Sequence, residues 1–151
     1  AAATLGLSLG ALDTSFGTYD YNGVAVSGNA NMLYAPDLTY SISGEQRTQM
    51  LGGEVIFAAN FSFQDEVYTQ TPWAIYDPAT FPRVTIPSWE ALDISATYLR
   101  DTENGTFKFI VYGTDVLEDG NREQRRFTTG SFTWTELAPR QQFGVTIGYE
   151  F

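Results

Sequence analysis

Carboxylate side chains lie close together at three places in the sequence, and paired carboxylates are the groups that hydrolyse glycosidic bonds or bind Ca²⁺. The three groups are Asp65-Glu66, Asp101 with Glu103, and Glu118-Asp119. Each falls in a predicted turn or at the start of a predicted loop, where acidic side chains are ordinarily just solvated. The sequence therefore favours solvated loop carboxylates over a catalytic pair or a Ca²⁺ site.

The amino-acid composition excludes the catalytic arrangements that depend on His or Cys. The chain has 151 residues with neither His nor Cys. A Ser-His-Asp or Cys-His catalytic arrangement therefore cannot be built from this chain alone, and disulfides and thiolate metal sites are excluded. The formal charge is -10, with no basic stripe to meet phosphates, which argues against nucleic acid. We predict a protein that is not an enzyme, carries no cofactor and binds no nucleic acid.

Three arginines in one polar segment, Arg122, Arg125 and Arg126, form the candidate anion contact of the sequence. Guanidinium groups bind carboxylates and phosphates through charge-assisted hydrogen bonds. On an extracellular loop, these three side chains would be suited to an anionic substrate or to lipopolysaccharide phosphates. The same segment also fits an ordinary solvated loop, and the sequence favours that second interpretation.

The elements that would position these residues are strands, because the period of two recurs along the chain and the helical period does not. Apolar and polar residues alternate in six runs, which are 4–12, 38–47, 54–68, 91–100, 106–116 and 143–151. The segments between them are alternately long and short, and the short "DTENGT" contains Asn104-Gly105, a strong hairpin signal. The sequence therefore predicts an all-β fold, an antiparallel up-and-down meander of six strands, with every long loop on one edge and every short turn on the other.

The two faces of this sheet differ in a way that bears on its surroundings. One face carries bulky apolar residues, and the other is mostly Gly, Ser, Thr and Asn. Six charges within the runs fall on the polar face, and the exceptions on the apolar face, such as Glu90 and Arg100, stand near the run ends. The six are Glu45, Arg47, Glu54, Asp93, Lys108 and Glu150. A soluble sheet of this size would be expected to show more Lys and Glu there. The pattern, with runs of about 10 residues, favours strands that cross a bilayer.

Aromatic residues near the run ends indicate a girdle at the membrane interface, where a ring is apolar on one side and wet on the other. We expect Tyr40, Tyr98, Tyr149 and Phe151 near the short-turn edge. Two further aromatic residues, Tyr68 and Trp89, are expected near the long-loop edge.

Several stretches resemble the C-terminal end of TonB-dependent outer-membrane receptors. The strongest are "PSWEALDISATYLRDTENGTFKFIVYGTDVLEDG" and, after a long loop, "APRQQFGVTIGYEF". Pro139-Arg140 stands where that family opens its last strand, and Phe151 stands where the strand ends. Gly28 and Ala35-Pro36 match the family's pattern before an earlier strand. The stretch "TDVLEDG" departs from the family's Asn-Leu-x-Asp pattern.

The resemblance implies that residues 1–151 are the last strands of a transmembrane β-barrel of about 22 strands, located in the bacterial outer membrane. It implies active uptake of a scarce nutrient such as a ferric siderophore, cobalamin or an oligosaccharide. The implied partners are outer-membrane lipid, this small-molecule substrate, and the barrel-assembly machinery, which would recognise Phe151. TonB would act only through a plug domain that these residues do not contain.

Two other functions also fit the sequence. One is a soluble lipocalin-like barrel or sandwich that holds an apolar ligand. The other is a small structural outer-membrane barrel completed by oligomerisation. Single-chain barrels begin at about eight strands, so six strands need others to close the sheet. Partition between water and detergent separates the soluble binder from the membrane proteins.

Overall fold

The computed structural model describes residues 1–21, 23–25, 32–70, 84–117, 122–128 and 132–151. Within these residues there are strands and no helix. The strands are β1 (Ala2–Ala11), β2 (Asp20–Tyr21), β3 (Val24–Ala25), β4 (Leu38–Met50), β5 (Gly53–Gln64), β6 (Val67–Tyr68), β7 (Thr85–Ile86), β8 (Trp89–Thr102), β9 (Gly105–Thr114), β10 (Glu123–Thr128), β11 (Thr133–Leu137) and β12 (Gln142–Glu150).

The long strands form one antiparallel sheet in the order β1-β4-β5-β8-β9-β12. Each long strand pairs with the next long strand along the chain, so the predicted six-stranded meander is confirmed. The register places apolar residues opposite one another across the sheet, as in the row that joins Leu7, Ile42, Phe61 and Leu92. Because side chains alternate between faces along a strand, one such row fixes which residues share each face.

The short-turn edge is made by two-residue turns. Between β4 and β5 the turn residues are Leu51 and Gly52, whose φ angles are 56° and 74°. Two successive left-handed residues are the pattern of a type I′ turn, which matches the twist of the strands it joins. Leucine is a poor residue for this conformation because its Cβ crowds the backbone.

The turn between β8 and β9 was predicted from Asn104-Gly105, and the hairpin is confirmed at a different register. The turn residues are Glu103 and Asn104, while Gly105 lies in β9 and pairs with Thr102. Gly105 has a φ of 153°, and a Cβ there would collide with the carbonyl oxygen of Glu150. Glycine is required here by the close approach of β12 and also by this backbone conformation, which other residues rarely adopt.

The prediction that one strand continues through residues 54–68 is wrong at its C-terminal end. The structure ends β5 at Gln64 and places residues 67–68 in the separate strand β6. The amide of Asp65 donates to the Leu38 carbonyl at 2.9 Å, and the Asp65 Oδ1 accepts the Glu66 amide at 2.8 Å. This aspartate turn redirects the chain out of the sheet.

A second packed region lies beyond the long-loop edge, and we call it the loop cluster. It consists of β6 paired with β7 and of the hairpin β10–β11, which contacts β7. Val67, Val84 and Ile86 are buried there, together with Thr69 and Thr128. The Thr69 amide and hydroxyl both donate to the Val84 carbonyl, at 2.8 Å and 2.9 Å. The loop cluster therefore has a small protein core of its own.

Candidate functional site

The bulky face of the six-stranded sheet is exposed. Leu7, Val145 and Ile147 on the outer strands are 75%, 61% and 69% exposed, and Phe57 on a central strand is 47% exposed. No second layer of described residues covers this face. A contiguous apolar surface of this kind on a folded chain marks contact with a partner or a membrane.

The opposite face is polar, and its register confirms the predicted distribution of charge. One row joins Gly6, Ser43, Asn60 and Asp93 across four strands. On the same face Arg47 binds Glu45 at 2.7 Å and approaches Glu54 at 3.7 Å. All six charges expected on this face lie at register positions of that face.

Two of the expected girdle residues sit at the short-turn edge with their hydroxyl groups bonded there. Tyr98 donates to the Leu51 carbonyl at 2.9 Å, and the Tyr149 hydroxyl lies 3.0 Å from the Thr102 Oγ1. Both residues stand at register positions of the bulky face. A ring on the apolar surface with its hydroxyl at the polar edge is the arrangement that suits an interface. The Phe151 ring is fully exposed and stacks 6.4 Å from Tyr149.

The prediction that Tyr40 lies at the short-turn edge of the sheet is wrong. Tyr40 lies near the start of β4, which follows a long connection, and it pairs with Leu9 and Phe63 near the long-loop ends of their strands. It therefore belongs to the long-loop edge, where its ring stacks 5.0 Å from Phe63.

The two aromatic residues expected at the long-loop edge do not form a girdle with Tyr40. Trp89 opens β8 at that edge, but on the polar face, in the same alternation as Asp93. Tyr68 lies in β6, outside the six-stranded sheet.

Each arginine of the candidate anion contact has a carboxylate partner. Arg122 binds Asp115 at 2.8 Å, Arg125 approaches Glu136 at 3.8 Å, and Arg126 binds Glu123. Arg125 is the most exposed of the three, with 67% of its side chain accessible. Arg125 and Arg126 are adjacent in β10 and so point to opposite faces of the hairpin. The anion contact stays a prediction, and Arg125 is the arginine most open to it.

One connected group of side chains was missed by the sequence reasoning. Asp115 follows β9 with a φ of 53°, its amide donates to Asp93 Oδ1 at 2.8 Å, and its carboxylate binds Arg122. The Arg122 guanidinium in turn lies 4.7 Å from the centre of the Trp89 ring. Aspartate tolerates the left-handed conformation better than most residues, and this is the only sequence signal that points to Asp115. The group ties the chain after β9 to the polar face of β8.

The carboxylates of Asp65 and Asp101 serve local structure. Asp65 forms the turn after β5, and Asp101 Oδ1 accepts the Thr106 hydroxyl at 2.8 Å. Within the described part of the chain, no three carboxylates gather to hold a metal ion. Glu118-Asp119 and Gly28 lie outside the described residues.

The comparisons with known proteins leave the function to be argued from the sheet itself. The chain matches no family model, and no curated protein or solved structure matches it. Among the described residues there is no helix of the length and apolarity needed to span a membrane.

Proposed function

We propose that this chain is part of the wall of an outer-membrane transporter, the C-terminal barrel segment of a TonB-dependent receptor. It would help import a scarce nutrient, and its strands would serve as the barrier while its loops meet the substrate. One observation carries the proposal. A bulky apolar face is exposed across the sheet, while small polar residues line the opposite face.

The cost of exposing that face to water supports a lipid environment. Burying apolar surface is worth about 25 cal/mol per Å², so a chain that folds in water ordinarily covers such a face. Lipid would cover it without a second protein layer. The small polar face would then look into the barrel, where water or a plug satisfies Ser, Thr and Asn.

The edges of the sheet support a larger barrel. Among the described residues, β1 and β12 each pair with one strand only. Backbone groups within a bilayer must be paired, so an open sheet cannot span it. We propose that strands outside these residues close the barrel, with the long loops outside the cell and the turns Leu51-Gly52 and Glu103-Asn104 in the periplasm.

Fractionation of bacterial membranes tests the proposal. We expect the protein to float with outer-membrane vesicles on a sucrose gradient and to stay there through washes with urea and with alkaline carbonate, because its apolar face is held by lipid. Uptake of its nutrient should stop in a strain that lacks TonB. A monodisperse protein in detergent-free buffer would reject the assignment, and membrane insertion with TonB-independent uptake would reject the receptor class alone.

One observation favours a second candidate, the soluble binder of an apolar ligand. A groove of about 790 Å³ runs over the bulky face between Leu5, Phe57 and Phe143. Its volume lies within the roughly 300–1,000 Å³ of small-molecule pockets. This candidate requires the sheet to fold without lipid, so the same fractionation decides between the two.

A further inference from the structure

A cavity of about 450 Å³ that is widely open to solvent lies on the polar face at the long-loop edge. Trp89, Ala91 and Asp93 line it from β8, where alternate residues share one face. Asp115 and Arg122 line it from the chain beyond β9. The volume is in the range of about 300–1,000 Å³ found for small-molecule sites.

The floor of the cavity is a gap between two larger side chains. Trp89 and Asp93 are four residues apart on β8, which separates their Cα atoms by about 13 Å at 3.3 Å per residue. Ala91 stands between them, and its cross-strand neighbour is Ser62. Because Ala91 and Ser62 are small, they leave room for a ring-sized ligand. The Trp89 indole would lie at one end of this ligand and the Asp93 carboxylate at the other.

The groups around this gap are fixed before any ligand arrives. Asp93 Oδ1 accepts the Asp115 amide, and Arg122 is held between the Asp115 carboxylate and the Trp89 ring. The Asp115 and Arg122 side chains are 10% and 20% exposed. Because these side chains are already ordered, they lose less conformational entropy when a ligand binds. This arrangement therefore suits recognition.

The four charged side chains that line the cavity carry no net charge. Two carboxylates, Asp93 and Asp115, are balanced by two guanidinium groups, Arg122 and Arg140. An anion would meet Asp93 and a cation would meet Arg140, so neither sign is favoured. A hydroxyl group both donates and accepts, and it can pair with Asp93, with Arg140 and with the amide of Gln142.

We propose that this cavity binds one sugar ring of a neutral oligosaccharide. The ring would lie over Ala91 between Trp89 and Asp93, with its hydroxyl groups bonded to the polar side chains at the rim. The inference rests on the proposed transport function and names the substrate class of that function.

A neighbouring cavity offers space for a second unit of the proposed ligand. It measures about 280 Å³ and shares Trp89, Arg122 and Pro139 with the first. Gln64 and Gln124 line it, and each side-chain amide offers both donors and an acceptor. A second sugar unit linked to the first would occupy this space.

Binding measured on the protein extracted in mild detergent from bacterial outer membranes tests the inference. The neutral probes are maltotriose, cellotriose and xylotriose, and the charged probes are trigalacturonic acid and a ferric tris-catecholate. Titration calorimetry should show binding of at least one neutral trisaccharide and of neither charged probe. Binding of no neutral trisaccharide, or binding of a charged probe instead, would overturn the inference.

Matched substitutions locate the binding. Ala91→Leu fills the gap and should weaken binding by about tenfold or more, equivalent to roughly 1.4 kcal/mol. Ala58→Leu places the same bulk on the polar face of β5, outside this cavity, and should change affinity by less than about twofold. Asp93→Asn keeps the shape of the side chain and should also weaken binding, which covers the case in which Ala91→Leu does not reach the membrane. Unchanged affinity in the variants that insert contradicts the site.

The failure of this inference is distinguishable from the failure of the proposed function. A protein that floats with outer membranes and imports an anionic nutrient would reject the sugar site and keep the transporter. A protein that stays in detergent-free buffer would reject the transporter itself.

Discussion

The six-stranded sheet and the loop cluster bury their apolar side chains in opposite ways. In the loop cluster, Val84 is fully buried and Val67 and Ile86 are nearly so. In the sheet, Val145 and Ile147 are largely exposed although they belong to a long, regular strand. Of the four buried apolar residues in the described part of the chain, three lie in the loop cluster, and only Val55 lies in the sheet. This difference is what a protein would show if water surrounded its loops and lipid surrounded its sheet.

A charge on the bulky face should give the largest effect. Val145→Arg places a guanidinium on the bulky face near the middle of β12, and in a bilayer it should destabilise the fold by about 2–4 kcal/mol. Thr146→Arg is the matched control, since it is the next residue, is also exposed and points to the polar face. Urea unfolding in lipid vesicles measures both. Equal effects below about 0.5 kcal/mol would mean that water contacts both faces.

The loop cluster should depend on the Asp115–Arg122 pair. Asp115→Asn keeps a residue that tolerates the left-handed backbone but removes the charge that faces Arg122, so we expect a loss of about 1.5–3 kcal/mol. Hydrogen exchange of residues 122–128 reports this local stability. Arg125→Gln breaks the exposed pair with Glu136 and should cost less than about 1 kcal/mol. A larger effect for Arg125→Gln than for Asp115→Asn would show that burial does not govern these pairs.

Truncation of a valine should cost more in the loop cluster than in the sheet. Val84→Ala removes two methyl-sized groups from a fully buried site and should cost about 1.6 kcal/mol, at roughly 0.8 kcal/mol per group. Val111→Ala on the bulky face is 38% exposed, and lipid would fill the space, so the loss should be smaller. Denaturant unfolding of both variants makes the comparison. Equal losses would argue that the bulky face is packed against protein.

The smallest expected effect is a gain at the short-turn edge. Leu51→Asn relieves a left-handed leucine and should stabilise the hairpin by about 1 kcal/mol. The Leu51 side chain is 79% exposed, so little contact is lost, and the backbone carbonyl still accepts from Tyr98. The midpoint of thermal unfolding should rise. Leu51→Val, which is β-branched, should lower it, and the opposite order would contradict the turn geometry.

The sheet was predictable from the sequence because alternation extends over its long strands. The register bears out both faces and the order of the six strands. Tyr40 was predicted at the wrong edge, although it stands near the start of β4, which follows a long connection. The short strands of the loop cluster were missed, since two-residue strands such as β6 and β7 are too short to show a period.

The candidate site was harder to predict because it joins residues that are distant in sequence. Asp93, Asp115 and Arg122 meet only after β8 and β9 pair and the chain turns at Asp115. The only sequence signal for that turn was the ability of aspartate to adopt the left-handed backbone conformation. The arginines were recognised as a group, but their carboxylate partners depend on the hairpin β10–β11.

The alternation of strand direction limits how this sheet can be completed. Since six strands alternate without interruption, β1 and β12 run in opposite directions. Any antiparallel ribbon that bridges these two edges must start opposite to β12 and finish opposite to β1. Only an even count of additional strands meets both conditions, so a closed cylinder built on this sheet has an even total.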